Sequence, residues 1–205
     1  MNNSRIRATI ALLVAGFALG FSSLGAASHD EPKQALESTI EELIDVLHAN
    51  EETLSFEAKR DQIVAILNKD FSFDIIIQRA LGRNWNKLDD AQKEQVTLLI
   101  TDLVLKAYIK ELKDGPRPKV RYSKPKTLSS SKIEIPSKVE LNGTEVNLSY
   151  RLANLKDRGW QVYDVLVEGV SMVSNYRKQF DEHFQKKTAV DLIELLKEKL
   201  TDSKS

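Results

Sequence analysis

The alternation of apolar and polar residues divides the chain into leading helices, a strand-rich middle and closing helices. Apolar residues recur at helical spacing over three early segments, 34–49, 56–67 and 73–81. A longer helix follows Asp89, because Asp89 and Gln92 have the spacing of a capping box. Two more helices close the chain, and we expect Ser171 and Thr188 to cap them.

Between Val120 and Val167 the period changes to two, which is typical of β-strands. Asn142–Gly143 predicts a tight hairpin between the second and third of about four strands. Pro136 interrupts the second strand and suggests a bulge or bend there. The alternation predicts one covered and one wet sheet face. We therefore predict an α+β fold in which helices gather on one side of a curved antiparallel four-stranded sheet.

Residues 1–27 have the three parts of a secretory signal peptide. Arg5 and Arg7 precede an apolar run, and Gly25, Ala26 and Ala27 offer small residues for cleavage. The alternative is a membrane anchor, but the run is shorter than the ~20 apolar residues that span a bilayer. The chain has no cysteine, so we expect neither disulfides nor lipidation. We predict a soluble domain of residues 28–205 outside the cytoplasm.

Few residues suggest chemistry. Thirty Lys and Arg balance thirty Asp and Glu, which does not favour nucleic-acid binding. The three histidines, His29, His48 and His183, do not have metal-ligand spacing, so we expect no metal. Asp164 and Glu168, four apart on a predicted strand, are either a general acid/base pair or structural partners of nearby groups. Apolar content alone does not separate a packed core from a ligand cavity.

Two sequence blocks resemble signatures of the MlaC family, also called the toluene-tolerance family. The first runs from Phe73 to Trp85, with Gln92 and Tyr108 fitting the same pattern, and the second runs from Trp160 to Phe180. The resemblance implies an NTF2/cystatin-like sheet covered by helices, with an apolar cavity for phospholipid acyl chains. It implies no enzyme and no cofactor, with phospholipid as cargo.

The same resemblance implies a location and partners. Such proteins work in the periplasm, between an outer-membrane lipoprotein–porin complex and an inner-membrane Mla-type ABC transporter complex. They shuttle phospholipids and so maintain the lipid asymmetry of the outer membrane. We expect this chain to act there as a monomer.

The predicted lipid-binding residues come from two sources. The alternation pattern gives a covered strand face and a helix that faces it: Val146, Leu148, Tyr150 and Leu152, with Leu99, Leu103 and Tyr108. The family position adds Val170, approached by Val165 and Val167. Two alternatives stay open: an NTF2-like enzyme that uses Asp164 or Glu168, and a protein-interaction module with a filled core and no ligand.

Overall fold

The structure, a computed structural model, describes residues 29–48, 56–113, 116–141 and 143–202. The helices in these residues are α1 (Asp30–His48), α2 (Phe56–Leu67), α3 (Phe73–Leu81), a 3-10 helix (Gly82–Lys87), α4 (Asp90–Lys113), α5 (Met172–Lys186) and α6 (Ala189–Asp202). The strands are β1 (Lys119–Tyr122), β2 (Lys126–Ser129), β3 (Lys132–Leu141), β4 (Thr144–Leu155), β5 (Gly159–Val167) and β6 (Val170–Ser171). Helices with an open antiparallel sheet confirm the predicted α+β class.

The helix caps predicted from the sequence are present. Asp89 accepts a hydrogen bond from the backbone N–H of Gln92 at 2.8 Å, and the Gln92 side chain accepts one from the Asp89 N–H at 3.1 Å. Ser171 accepts one from the N–H of Ser174 at 3.0 Å and begins α5. Thr188 caps α6. Because each cap satisfies free N–H groups of a first turn, local sequence fixes where these helices start.

The sheet has six strands instead of the four predicted. Its order is β1-β3-β4-β5-β6, and β2 pairs with β3 beside β1. The predicted strands correspond to β1, β3, β4 and β5. The residues of β2 are all exposed and β6 has only two residues, so neither carries the apolar alternation that reveals a strand.

Pro136 does not produce the predicted bulge, because β3 pairs with β4 without a register shift at that position. The carbonyl of Pro136 accepts a hydrogen bond from the N–H of Ser123 at 2.8 Å and therefore points away from β4. The N and C=O of one strand residue point to the same side. The N–H that Pro136 lacks would therefore face the gap between the end of β1 and the start of β2, where no strand pairs with β3.

Two apolar clusters form the core. The first lies between one face of the sheet and helices α1 and α2, with Leu105 of α4 at its side. The second lies among the helices themselves, where α3, α4, α5 and α6 meet. Phe73 packs against both clusters. We call the sheet face that contributes to the first cluster the inner face.

Residues 1–27 lie outside the described residues, so the signal peptide stays a prediction. Among the helices that the structure does describe, none is both long and apolar enough to cross a bilayer.

Candidate functional site

Cross-strand pairing arranges the inner face in four rows that run across the sheet. Residues directly opposite each other in antiparallel strands share a face, so the register defines each row. The first two rows are Val120, Val139 and Val146, then Tyr122, Ser137, Leu148, Val167 and Val170. The last two are Ile135, Tyr150 and Val165, then Ile133, Leu152 and Val162. A register shift in β5 lets both Val162 and Val165 take inner positions.

The third and fourth rows are more deeply buried than the first two. In the fourth row no side chain is more than 1 % exposed, and in the third only Val165 is half-buried. In the first two rows every apolar side chain is at least half-buried except Val170, which is 59 % exposed. We call rows one and two the open rows, and rows three and four the closed rows. The inner face is therefore mostly apolar, and only one end of it is fully covered.

Helices and a backbone segment cover the closed rows. Leu36 of α1 and Ile63 of α2 pack into the first cluster with almost no exposure. The segment between α2 and α3 attaches to β5, because the N–H of Val162 donates to the carbonyl of Asp70 at 2.7 Å. The ring of Phe71 then meets Tyr150 edge-on at 6.5 Å. The closed rows are therefore packed like a protein interior.

Three hydroxyl groups lie on this mostly apolar face. Tyr122 and Ser137 are paired in the second row, and Tyr150 follows in the third, its ring 6.3 Å from that of Tyr122. Burial raises the pKa of Tyr150 to about 12, although a hydrogen bond from Ser137 lowers it in part. Burial also raises the pKa of Tyr122 well above its usual value. Both tyrosines are thus neutral at any physiological pH.

The structure gathers all the predicted strand residues on the inner face. Val146, Leu148, Val167 and Val170 belong to the open rows, whereas Tyr150, Leu152 and Val165 belong to the closed rows. The closed-row members are part of the core, so the open-row members are the better candidates for contact with a ligand. Their role as lipid contacts stays a prediction.

The predicted facing helix lies elsewhere. Leu99 and Leu103 of α4 pack against the second cluster, among helices and away from the sheet. The side chain of Tyr108 is outside the described part of the chain. Leu105, which is 5 % exposed, is an α4 residue that reaches the first cluster. Helical periodicity alone shows that α4 has an apolar stripe, but it does not show which neighbour the stripe meets.

The prediction of the site missed β1 and β3. Val120, Tyr122, Ser137 and Val139 complete the open rows beside β4. Their apolar alternation was visible in the sequence, but only the strand pairing shows that they share a face with Leu148. Ser137 carries no apolar signal and is identified only by its register.

The two candidate acids have structural roles. Asp164, which is 5 % exposed, accepts hydrogen bonds from the Ser171 hydroxyl at 2.7 Å and the Val173 N–H at 3.2 Å. Glu168 is not on a strand, because it follows the end of β5 with a φ of 49°. Its carboxylate accepts from the N–H and side-chain amide of Asn147 at 2.6 and 3.0 Å, which lowers its pKa. The prediction that the two acids lie on one strand is therefore wrong.

The histidines are also separate. His29 lies 3.1 Å from the hydroxyl of Thr127, and the ring nitrogen of His183 lies 3.0 Å from the carbonyl of Thr188. Across the described ranges no group of three or more His, Cys, Asp or Glu residues is arranged to hold a metal ion.

Comparison with known proteins agrees with this geometry. The profile of the family described as MlaC protein matches residues 37–198. The chain belongs to the MlaC family. A similar solved structure is a phospholipid-binding protein from Ralstonia solanacearum, determined in complex with a phospholipid. It has a TM-score of 0.75 and 20 % sequence identity, and the match covers 85 % of this chain and 99 % of that one. At this identity the likeness shows that the two proteins share a fold. No curated protein sequence matches significantly.

Proposed function

We propose that this MlaC-family protein is a periplasmic carrier of phospholipids that holds acyl chains against the open rows of the inner face. The observation that carries the proposal is the gradient of burial along an otherwise apolar sheet face. The apolar side chains of the open rows are only partly covered, and Val170 at their rim is exposed, so an apolar ligand would complete the covering of this face. The fold shared with a phospholipid-binding protein supports the same ligand.

A carrier of this kind answers a definite energetic problem. Two acyl chains contain about 30 methylene groups, and exposing them to water costs about 25 kcal/mol at ~0.8 kcal/mol each. Free diffusion of a phospholipid through an aqueous space is therefore negligible. A dry apolar surface removes most of this cost, and tail burial supplies the binding energy without strong headgroup contacts.

The division into open and closed rows suits repeated loading and release. The closed rows pack Ile133, Leu152 and Val162 into a complete core, so the fold does not depend on cargo. The open rows offer mainly aliphatic side chains, with Tyr122 and Ser137 as their polar members and no charged group. Lipid can then enter and leave without unfolding of the core.

We infer a carrier instead of an enzyme because the candidate acids serve the fold. Asp164 fixes the first turn of α5, where it accepts from Ser171 and Val173. Arg151 also lies 3.7 Å from it. These contacts are on the face opposite the inner face, so a reaction at Asp164 would occur away from the apolar rows. Transfer of an intact lipid, in contrast, requires no bond to break.

Family membership and the predicted leader support a route of transport. Cleavage after Ala27 would release residues 28–205 into the periplasm. We propose that the protein there exchanges phospholipid with an inner-membrane Mla-type ABC transporter complex and an outer-membrane lipoprotein–porin complex, and so helps to keep the outer membrane asymmetric. Purified periplasmic protein should have the intact mass of a chain that begins at Ser28.

A charge at the rim of the open rows tests the proposal. Val170→Glu should leave the fold intact, because the side chain is 59 % exposed, but should lower co-purified phospholipid at least about tenfold, since a carboxylate resists desolvation by an acyl chain. Val190→Glu is the matched control: Val190 is 54 % exposed but lies on α6. Protein from the periplasm of a Gram-negative host would be extracted with chloroform–methanol and its phospholipid counted by mass spectrometry.

We expect nearly stoichiometric phospholipid in the wild type and in Val190→Glu. If Val170→Glu and the wild type contain equal amounts of phospholipid, the open rows are not the binding surface. A wild type without any lipid would favour the alternative of a protein-interaction module.

A further inference from the structure

Tyr122 has a buried hydroxyl that the fold leaves unused. The oxygen is inaccessible to solvent and has no hydrogen-bond partner among the described residues. Native proteins pair nearly all buried polar groups, so an unpaired one calls for an explanation, such as a ligand. Tyr122 stands in an open row, at the edge of the surface that we propose for acyl chains.

The neighbouring polar groups are already engaged. Ser137 faces Tyr122 across the strand pair. Its hydroxyl, however, is hydrogen-bonded to Tyr150 and lies 3.5 Å from the carbonyl of Leu148. Glu37 and Glu41 of α1 are close enough to raise the pKa of Tyr122 without bonding to it, and Glu41 instead binds Arg117. A bridging water is poorly supported here, because a buried water needs two to four polar partners.

The position of Tyr122 in its row suggests which group of a lipid could reach it. The second row crosses the sheet from β1 through Ser137, Leu148 and Val167 to Val170 on β6. Four strand spacings of about 4.8 Å make this row about 19 Å long, comparable to one extended acyl chain. An acyl chain along this row would place its ester end near Tyr122. The β1 region beyond it includes Lys119, Lys124 and Lys126, cations that suit a phosphate. Arg117 and Arg121 in the same region are in ion pairs with acids of α1, β3 and β4.

We propose that the Tyr122 hydroxyl donates a hydrogen bond to the ester carbonyl of a phospholipid acyl chain lying along the second row. The inference rests on the proposed carrier function. A neutral phenol can donate, and an ester carbonyl can only accept, so the pair is complementary. The contact would fix how far the lipid enters while leaving the headgroup unspecified.

The test compares lipids with and without the carbonyl. Dipalmitoyl phosphatidylethanolamine and its dihexadecyl ether analogue have the same headgroup and chain length, but the ether lacks the acceptor. Lipid-free full-length protein would take up each lipid from vesicles, and the dissociation constants would be compared. The wild type should prefer the ester about three- to tenfold, the worth of one hydrogen bond. Tyr122→Phe should abolish the preference by weakening ester binding alone.

Two further measurements separate a ligand contact from a structural role. Tyr163→Phe is the matched control. Tyr163 is on β5, stacks with Arg79 of α3 and is not in any inner-face row, so this variant should keep the preference for the ester lipid. Lipid-free Tyr122→Phe should be at least as stable as the wild type, since no native bond is removed.

An ester preference that survives in Tyr122→Phe would overturn the inference, and so would a loss of stability in that variant without lipid. Failure of the wild type to take up either lipid would instead refute the carrier function itself.

Discussion

Leucine-to-alanine substitutions at two positions on the same strand should separate fold from cargo. Leu152 and Leu148 lie four residues apart on β4 and both belong to the inner face. Leu152 is 1 % exposed and packs in the closed rows, whereas Leu148 is half-buried in the open rows. The chemical change is identical, so any difference between the variants reports the surroundings of each side chain.

The expected magnitudes differ clearly. Leu152→Ala removes a fully buried side chain and leaves a cavity, which should lower the free energy of unfolding by about 2–5 kcal/mol. Leu148→Ala loses only partial burial and should cost about 1 kcal/mol. For lipid binding the order reverses, because Leu148 offers its surface to an acyl chain and Leu152 does not.

Urea unfolding of the lipid-free proteins measures the first effect, as a fall in the midpoint at unchanged slope. Lipid must be removed first, because a ligand that binds only the folded state adds its own stability. Lipid per protein, measured after reloading from vesicles, gives the second effect. Equal destabilisation in the two variants, with lipid content unchanged in Leu148→Ala, would mean that the whole inner face is ordinary core.

Two other predictions concern the polar groups. Asp164→Asn should lower the free energy of unfolding by about 1–3 kcal/mol, since charge-assisted bonds at a buried site are weakened, while phospholipid content stays normal; loss of the lipid with the fold intact would count against a purely structural acid. Asp191 has a pKa lowered below 3.8 by the backbone and side chain of Thr188, so its contribution to stability is present above that value and lost as the pH falls through the lower, folded-state pKa. Between about pH 5 and about pH 3 the urea midpoint should therefore fall further in the wild type than in Asp191→Asn. An equal fall in the two proteins would show that this cap does not titrate as described.

The local signals in the sequence predicted the elements well. Asp89, Ser171 and Thr188 begin helices as expected, because a cap depends on residues within one turn. A hairpin joins β3 and β4 as predicted, with Leu141 paired to Thr144. The exposed β2 was missed, since a strand without a buried face has no alternation to detect. Pro136 was misjudged because its effect depends on which side of β3 lacks a partner.

The candidate site was predicted only in part. The alternating residues of β4 and β5 pointed to the inner face, but the contribution of β1 and β3 required the register. Leu99 and Leu103 show the limit most clearly: an apolar stripe on α4 has the same sequence pattern whether it faces a sheet or other helices. Asp164 likewise looked like a catalytic candidate until its bonds to Ser171 and Val173 were visible.

The sequence by itself determined the order and type of most elements, most helix starts and the resemblance to the MlaC family. These depend on short-range chemistry and on motifs along the chain. The tertiary structure alone decided which apolar side chains are covered. Burial at Leu152 and partial exposure at Leu148 arise from how far α1, α2 and the segment at Phe71 extend over the sheet. That extent depends on long-range packing, which no local pattern of hydrophobic residues records.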